Sequence, residues 1–374
     1  MRLLRPKSNS LEKCTEVWGS FSIREHDPRI TEFRDVVYLP YDLGAAWGIF
    51  DRSGRAIHET VDMHGPDQSP YRQLLETDAD LSATREEADD DVYVYGGCIN
   101  LHYGHFLVNS LPRFWPLVRS KFTGGVKYLC HGPGNPDTWF AIEFFSKIFT
   151  QLGLSRENFV TFDRATPIRH LIVPETSFGE QCFIHPIYVD LCHAVGAGQL
   201  RSMPSCRKDT PVYLSKTKLI GGVVRVINED DIVNRLEKAG VEIIFPETLP
   251  FDEQVRLFAE RSIITATTGS AFHTSLFAHP SGSIIGINVA MKPVNSNYLL
   301  IDSVNNNDSH YYWPQDITVT NIANSTFSAN MRLGDPLGVA EGLLRIIDER
   351  KRSKRWWFLA RQRSNTSQLR PGLP

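Results

Sequence analysis

A chain of 374 residues with 40 Lys+Arg against 43 Asp+Glu carries a formal net charge of −3, with 41% hydrophobic and 22% charged residues. These are the values of an ordinary soluble globular protein, roughly two domains long, and they exclude a surface that attracts nucleic acid as a whole. Six cysteines, Cys14, Cys98, Cys130, Cys182, Cys192 and Cys206, include no Cys-x-x-Cys pair. That excludes the common zinc and dense disulfide frameworks and points to a reducing compartment.

The start, MRLLRPKSNSLEKC, is basic but reaches no apolar stretch of signal-peptide length, and no run approaches the roughly 20 apolar residues of a membrane span. The expectation is a cytoplasmic protein whose membrane contact, if it has any, is peripheral at the inner membrane. Residues 68–91 read as a solvated acidic loop. VYVYGG then opens a buried strand that Gly96-Gly97 closes, VKYLC (126–130) reads as a strand, 138–153 as a helix and HLIVP (170–174) as a strand.

A second series follows the polar stretch 201–211. VYLS (212–215) is a strand, and Asn228 caps a helix with acids in its first turn and Gly240 at its end. VEIIF (241–245), the helix 250–261, SIITA (262–266), a glycine turn with a helix after it, and SIIGI (283–287) complete the alternation. The pattern predicts an α/β protein with two doubly wound domains facing a cleft, ligands lying at the carboxyl ends of the strands. The expected division is 1–205 for an N-terminal α/β domain, 206–330 for a C-terminal α/β domain, and 331–374 for a C-terminal helix and basic tail.

Three stretches could carry chemistry. In LHYGHFLVNSLPRFWPL (101–117), helical spacing aligns His102, His105 and Asn109 on one face. Either histidine could serve as a general base, since imidazole titrates near physiological pH; both could equally be hydrogen-bonded packing residues. His-x-x-His is half a metal site, and no nearby carboxylate or cysteine completes it. In ITATTGSAFHTSLF (264–277), Thr268, Gly269 and Ser270 lie between a strand and a helix, where backbone N–H groups suit a phosphate. This is neither a Walker loop nor G-x-G-x-x-G. In VYLSKTKLIGGVVRVINEDD (212–231), Lys216, Lys218 and Arg225 follow a strand end at the same sheet edge, either to neutralise a leaving diphosphate or as a solvated basic loop. A fourth feature, Glu247 after Pro246, could accept ribose hydroxyls or be an ordinary surface carboxylate at a turn.

Taken in order, HYGHFLVNSLPRFWPL, VYLSK…RVINED and VEIIFPETLPFDEQVRLFAERSIITATTGSAFHTSLFAHPSGSIIGI resemble glycosyltransferase family 61, over about residues 92–315 and most specifically over 228–282. The family includes bacterial capsule and lipopolysaccharide sugar transferases, plant xylan arabinosyl- and xylosyltransferases, and animal N-acetylglucosamine transferases. The resemblance implies a GT-B type fold, inverting chemistry, a nucleotide-sugar donor and no obligatory metal or cofactor. His105 then stands as base with His102 and Asn109 beside it, and Lys216, Arg225, Asn228, Glu247, Thr268, Gly269 and Ser270 hold the donor. Three positions depart from the family pattern: Asn109 replaces an acid, Lys216 an arginine and Thr268 a histidine.

The expected reaction moves a hexosyl or pentosyl unit to a polysaccharide or lipid-linked glycan. A nucleotide- or carbohydrate-binding pseudoenzyme is the alternative. A hydrolase using Ser110 or Ser270 lacks the Gly-x-Ser-x-Gly elbow, and a phosphorylase rests on fold analogy alone. Finally, ERKRSKRWWFLARQR (349–363) combines seven Lys/Arg with Trp356 and Trp357, suited to lipid headgroups or to docking on the N-terminal domain.

Overall fold

The apolar runs read as strands pair into two six-stranded sheets among the residues that the computed structural model describes: 10–78, 81, 91–123, 125–201, 207–279 and 282–367, the last helix by backbone alone beyond 353. Across the first sheet the strands are Phe159–Val160, Lys127–His131, Val92–Cys98, Thr166–Pro174, Ile30–Leu39 and Gly48–Phe50. The first four are mutually parallel, and the last two are antiparallel to their neighbours. This sheet is therefore mixed rather than wholly parallel. Ile30–Leu39, which the sequence reading passed over, alternates partly covered and exposed residues before its buried end.

In the second sheet the order is Leu11–Lys13, Asp308–Pro314, Ser283–Ile287, Ile263–Thr267, Val212–Leu214 and Glu242–Ile244. Its strands are parallel except the first, an antiparallel edge. Ser283–Ile287 and Ile263–Thr267 are buried at every residue, as strands covered on both faces must be. The protein is thus a mixed α/β fold. Residues near the start cross between its parts: Leu11–Lys13 joins the second sheet, while Ser22–Ile23 pairs with Phe183–Ile184.

Local departures have local causes. The strand at 92 does not stop at the glycine pair but runs through it to Cys98, with a register shift between Tyr95 and Gly97. Gly97 has φ of +82°, and a Cβ there would stand 2.8 Å from Arg113 Cδ, so the pair is a bulge rather than an end. The predicted helix 138–153 is two helices, Pro136–Phe140 and Glu143–Gln151, because Ile142 adopts extended backbone between them. Their rings, with Phe106, Phe114 and Phe159, build an aromatic core centred on Phe149.

Helix Glu229–Lys238 carries its acids in the first turn and buries Ile232 and Leu236. Asn228 precedes it but does not cap it. Its side chain instead donates to the Leu333 carbonyl and accepts from the Leu333 N–H, tying the helix start to strand Phe327–Leu333. The final helix, Pro336–Ser367, seats Val339, Ala340, Leu343, Ile346 and Ile347 in a core shared with Leu11, Leu236 and Ile285. The side chains of Trp356 and Trp357 lie outside the described residues, as does Cys206. No helix among the described residues is long and apolar enough to cross a membrane.

Candidate active site

The helical run after His102 is irregular for reasons written in its sequence. Tyr103–His105 is one α-helical turn, Phe106–Ser110 a widened π turn, and Leu111–Arg119 a 3-10 stretch containing Pro112 and Pro116, which remove backbone donors. Phe106, Leu107, Val108, Leu111 and Phe114 are buried and fix its inner face. His102, His105 and Asn109 remain on the open side, as the spacing predicts. His105 Nδ1 lies 3.2 Å from Asn109 Oδ1, and the His102 and His105 ring centroids are 5.3 Å apart. An amide oxygen facing Nδ1 makes that nitrogen the N–H donor and leaves Nε2 as the acceptor.

The carboxylate that local sequence did not supply arrives from elsewhere. Glu180 occupies the turn between Phe178–Gly179 and Phe183–Ile184, with Oε1 3.8 Å from His105 Nδ1 and Oε2 3.1 Å from His64 Nδ1. His64 Nε2 in turn lies 3.2 Å from Asp62 Oδ1, and Tyr71 stacks on the His64 ring at 4.2 Å. The Glu180 turn is held from three sides. Gln68 Nε2 donates to the Glu180 carbonyl, the Gln181 N–H donates to Asn297 Oδ1, and the Ser20 N–H donates to the Gln181 carbonyl. The Glu180 and His64 side chains are only 12% and 10% exposed, whereas that of His105 is 40% exposed and open to a ligand.

Burial opposes a charge on His64, yet Asp62 and Glu180 raise its pKa to about 9. Burial alone would raise the Glu180 carboxyl, but His64 above all, with His105 and Asn109 nearby, holds it below its ordinary range. The ligating atoms of His64, His105 and Glu180 fall within 4.8 Å of one another, near enough to grip a divalent cation. In the arrangement present, His64 Nδ1 and His105 Nδ1 already lie against carboxylate or amide oxygens, whereas buried His64 Nε2 is near Asp62 but makes no hydrogen bond of good geometry.

The raised His64 pKa has a stability consequence. Its contribution is complete below the ordinary imidazole value of about 6.5 and is lost as pH climbs toward the folded value. Wild type should therefore exceed His64→Gln by on the order of 2–3 kcal/mol near pH 6, a difference that shrinks toward alkaline pH. Thermal unfolding of both proteins across that range checks this; a pH-independent difference would refute it.

On the opposite side, Lys216 follows strand Val212–Leu214, and its Nζ donates to the Thr268 carbonyl at 2.7 Å. Burial lowers its pKa to about 8, with Glu229 partly offsetting the effect. The Glu229 carboxylate accepts from the Lys216 backbone N–H and the Tyr213 hydroxyl. Gly269 permits the close approach: a Cβ there would stand 2.7 Å from Lys216 Nζ. Ser270–Phe277 is a 3-10 helix whose start no side chain caps, which leaves its first N–H groups for a ligand. The Thr268 hydroxyl is already committed to Asn288.

The two sides touch. A Cβ on Gly104 would stand 2.9 Å from Ser270 Cβ, and the Tyr103 and Thr274 hydroxyls lie 2.8 Å apart. Not every expected residue joins them. Lys218 Nζ rests over the Phe245 ring, exposed Arg225 lies over Phe327, Asn228 is engaged with Leu333, and Glu247 is exposed in the turn Pro246–Thr248. Ser110 is buried and donates to the Cys98 carbonyl, a structural bond rather than a nucleophile's setting.

This pairing of an imidazole face with a strand–glycine–helix turn falls within one family segment: residues 103–285 match the family described as Glycosyltransferase 61. The chain belongs to glycosyltransferase family 61. Membership implies glycosyl transfer from a donor to an acceptor. No curated protein matches the chain. The family segment takes in His105, Asn109, Glu180, Lys216 and Gly269, whereas Asp62 and His64 precede it. His273 also lies inside the segment. It is buried with neither ring nitrogen partnered, and burial lowers its pKa to about 4, so it stands neutral close to Glu180, His105 and His102.

Proposed function

We propose that the protein is an inverting, metal-independent glycosyltransferase of GT-B type. In this reading a nucleotide-sugar donor gives its sugar to a polysaccharide or lipid-linked glycan. The observation that carries the reading is the contact between Gly104 and Ser270, which brings the imidazole face of the first motif against the start of the second. His105 Nε2 takes the acceptor proton while the acceptor oxygen attacks the anomeric carbon from the face opposite the diphosphate. Lys216 and the N–H groups after Gly269 receive the departing diphosphate. Lys216 suits that role because, among the described residues, its ammonium meets a carbonyl rather than a carboxylate. An arriving anion would supply the missing countercharge.

Gly269→Val tests the donor side. Its Cβ would stand 2.7 Å from the flexible end of Lys216 and only in ordinary contact, 4.0 Å, with the Thr267 carbonyl of the sheet, so the fold should persist while nucleoside diphosphate affinity falls about tenfold or more. A folded variant with wild-type affinity, measured by calorimetry, would overturn the placement.

A second reading, a binding protein of the same fold without turnover, draws on Asn109 at the position where the family carries an acid. Donor hydrolysis or transfer by purified protein, over a panel of nucleotide sugars, decides between them. A cytoplasmic enzyme meeting a lipid-linked acceptor would use peripheral membrane contact, for which the basic, tryptophan-containing stretch 349–363 is the proposed element.

A further inference from the structure

An imidazole that accepts a proton becomes a cation, and its reach as a base depends on what waits to stabilise that cation. The neighbour of His105 one turn on, Asn109, is an amide and brings no charge. The charges around it come from other elements. Glu180 Oε1 stands 3.8 Å from Nδ1, the same nitrogen that faces Asn109 Oδ1, so the carboxylate and the amide meet the ring on one side. Behind it, His64 sits between Glu180 and Asp62. Two carboxylates against one imidazolium leave the cluster with one negative charge facing His105. His102 and His273 do not cancel it, because burial favours the neutral form of both. His105 is the member of the cluster most open to a ligand, its side chain 40% exposed beside the buried Glu180 and His64.

We infer that Glu180 is the positioning residue for the base, supplying the charge that holds His105 with Nε2 toward the acceptor and stabilises the ring once protonated. This rests on the transferase reading above. In the step, the proton leaves the acceptor hydroxyl for His105 Nε2 and the acceptor oxygen bonds to the anomeric carbon. The bond from that carbon to the diphosphate oxygen breaks, its electron pair leaving with the nucleoside diphosphate.

The experiment compares wild type, Glu180→Gln and the double variant Asn109→Asp/Glu180→Gln. Glu180→Gln should lose about 10²-fold in kcat with donor affinity unchanged, and the acid limb of its kcat profile should move to lower pH by about one pH unit. Asn109→Asp in the same background returns a carboxylate to the ring and should restore most of the rate. An unchanged rate and acid limb in Glu180→Gln overturns the inference. So does a loss that Asn109→Asp fails to rescue in a folded protein of normal donor affinity, which would mark Glu180 as packing. Stoichiometric transition metal released on denaturing the purified wild type would also overturn it in favour of a metal site.

NMR of the His105 ring separates this inference from the transferase reading. If no donor is turned over, that reading fails, while a ring that titrates at lower pH in Glu180→Gln still supports the role of Glu180. Identical titration in the two proteins overturns it.

Discussion

His105→Ala should lower kcat by roughly 10²–10⁴-fold while leaving donor affinity near wild type, the signature of a lost general base. The geometry separates the two effects. His105 is held by Asn109 and Glu180 on the imidazole side, whereas Lys216 and the Gly269 turn belong to the second sheet. Removing the ring deletes no contact to Lys216. Because the His105 side chain is 40% exposed, truncation opens no large cavity and folding should be little affected. His102→Ala is the control. His102 begins the helix through its backbone, with its N–H donating to Asn100 Oδ1, so the alanine variant keeps that bond. A full rate in His105→Ala together with a large loss in His102→Ala would transfer the base to His102.

The second large effect is on donor binding. Lys216→Met should weaken nucleoside diphosphate binding about 10–100-fold, the loss of one or two charge-assisted hydrogen bonds. In wild type the affinity should also fall as pH rises above about 8, because burial has lowered the Lys216 pKa to about 8 and only the protonated amine pairs with phosphate. The bound anion favours the ammonium, so binding takes up a proton in that range. In Lys216→Met this alkaline weakening should disappear. Calorimetry in buffers of different ionisation enthalpy reads both affinity and proton uptake; equal pH dependence in the two proteins would exclude Lys216 as the titrating group.

The parts of this protein that could be read from sequence are those whose signal is local. Continuous apolar runs such as SIITA and SIIGI are strands buried on both faces, and the strand–glycine–helix order at 264–277 is written in the sequence itself. His105 and Asn109 were legible because four residues of helix bring them together. Glu180 and His64 were not, since each sits in a separate hairpin and no spacing rule links them to residue 105. His273 lay inside a motif already singled out, but its position among Phe272, Leu276 and Phe277 reads as packing. Arg225 is the opposite case. Its charge was visible, but strand Gly222–Val226 belongs to a small separate sheet, which places it over Phe327.

Strand Leu11–Lys13 completes the second sheet by pairing with Asp308–Pro314. During synthesis it leaves the ribosome roughly three hundred residues ahead of its partner, among the longest waits such a chain can impose. Until then Leu11, destined for the core, stays exposed, and its strand waits unpaired as a template for any extended chain. The final strand pairing is thus a closing stitch. Completion of the second sheet is gated by the return of a strand made long before its partner, which ties that sheet to residues lying ahead of the first sheet in the chain.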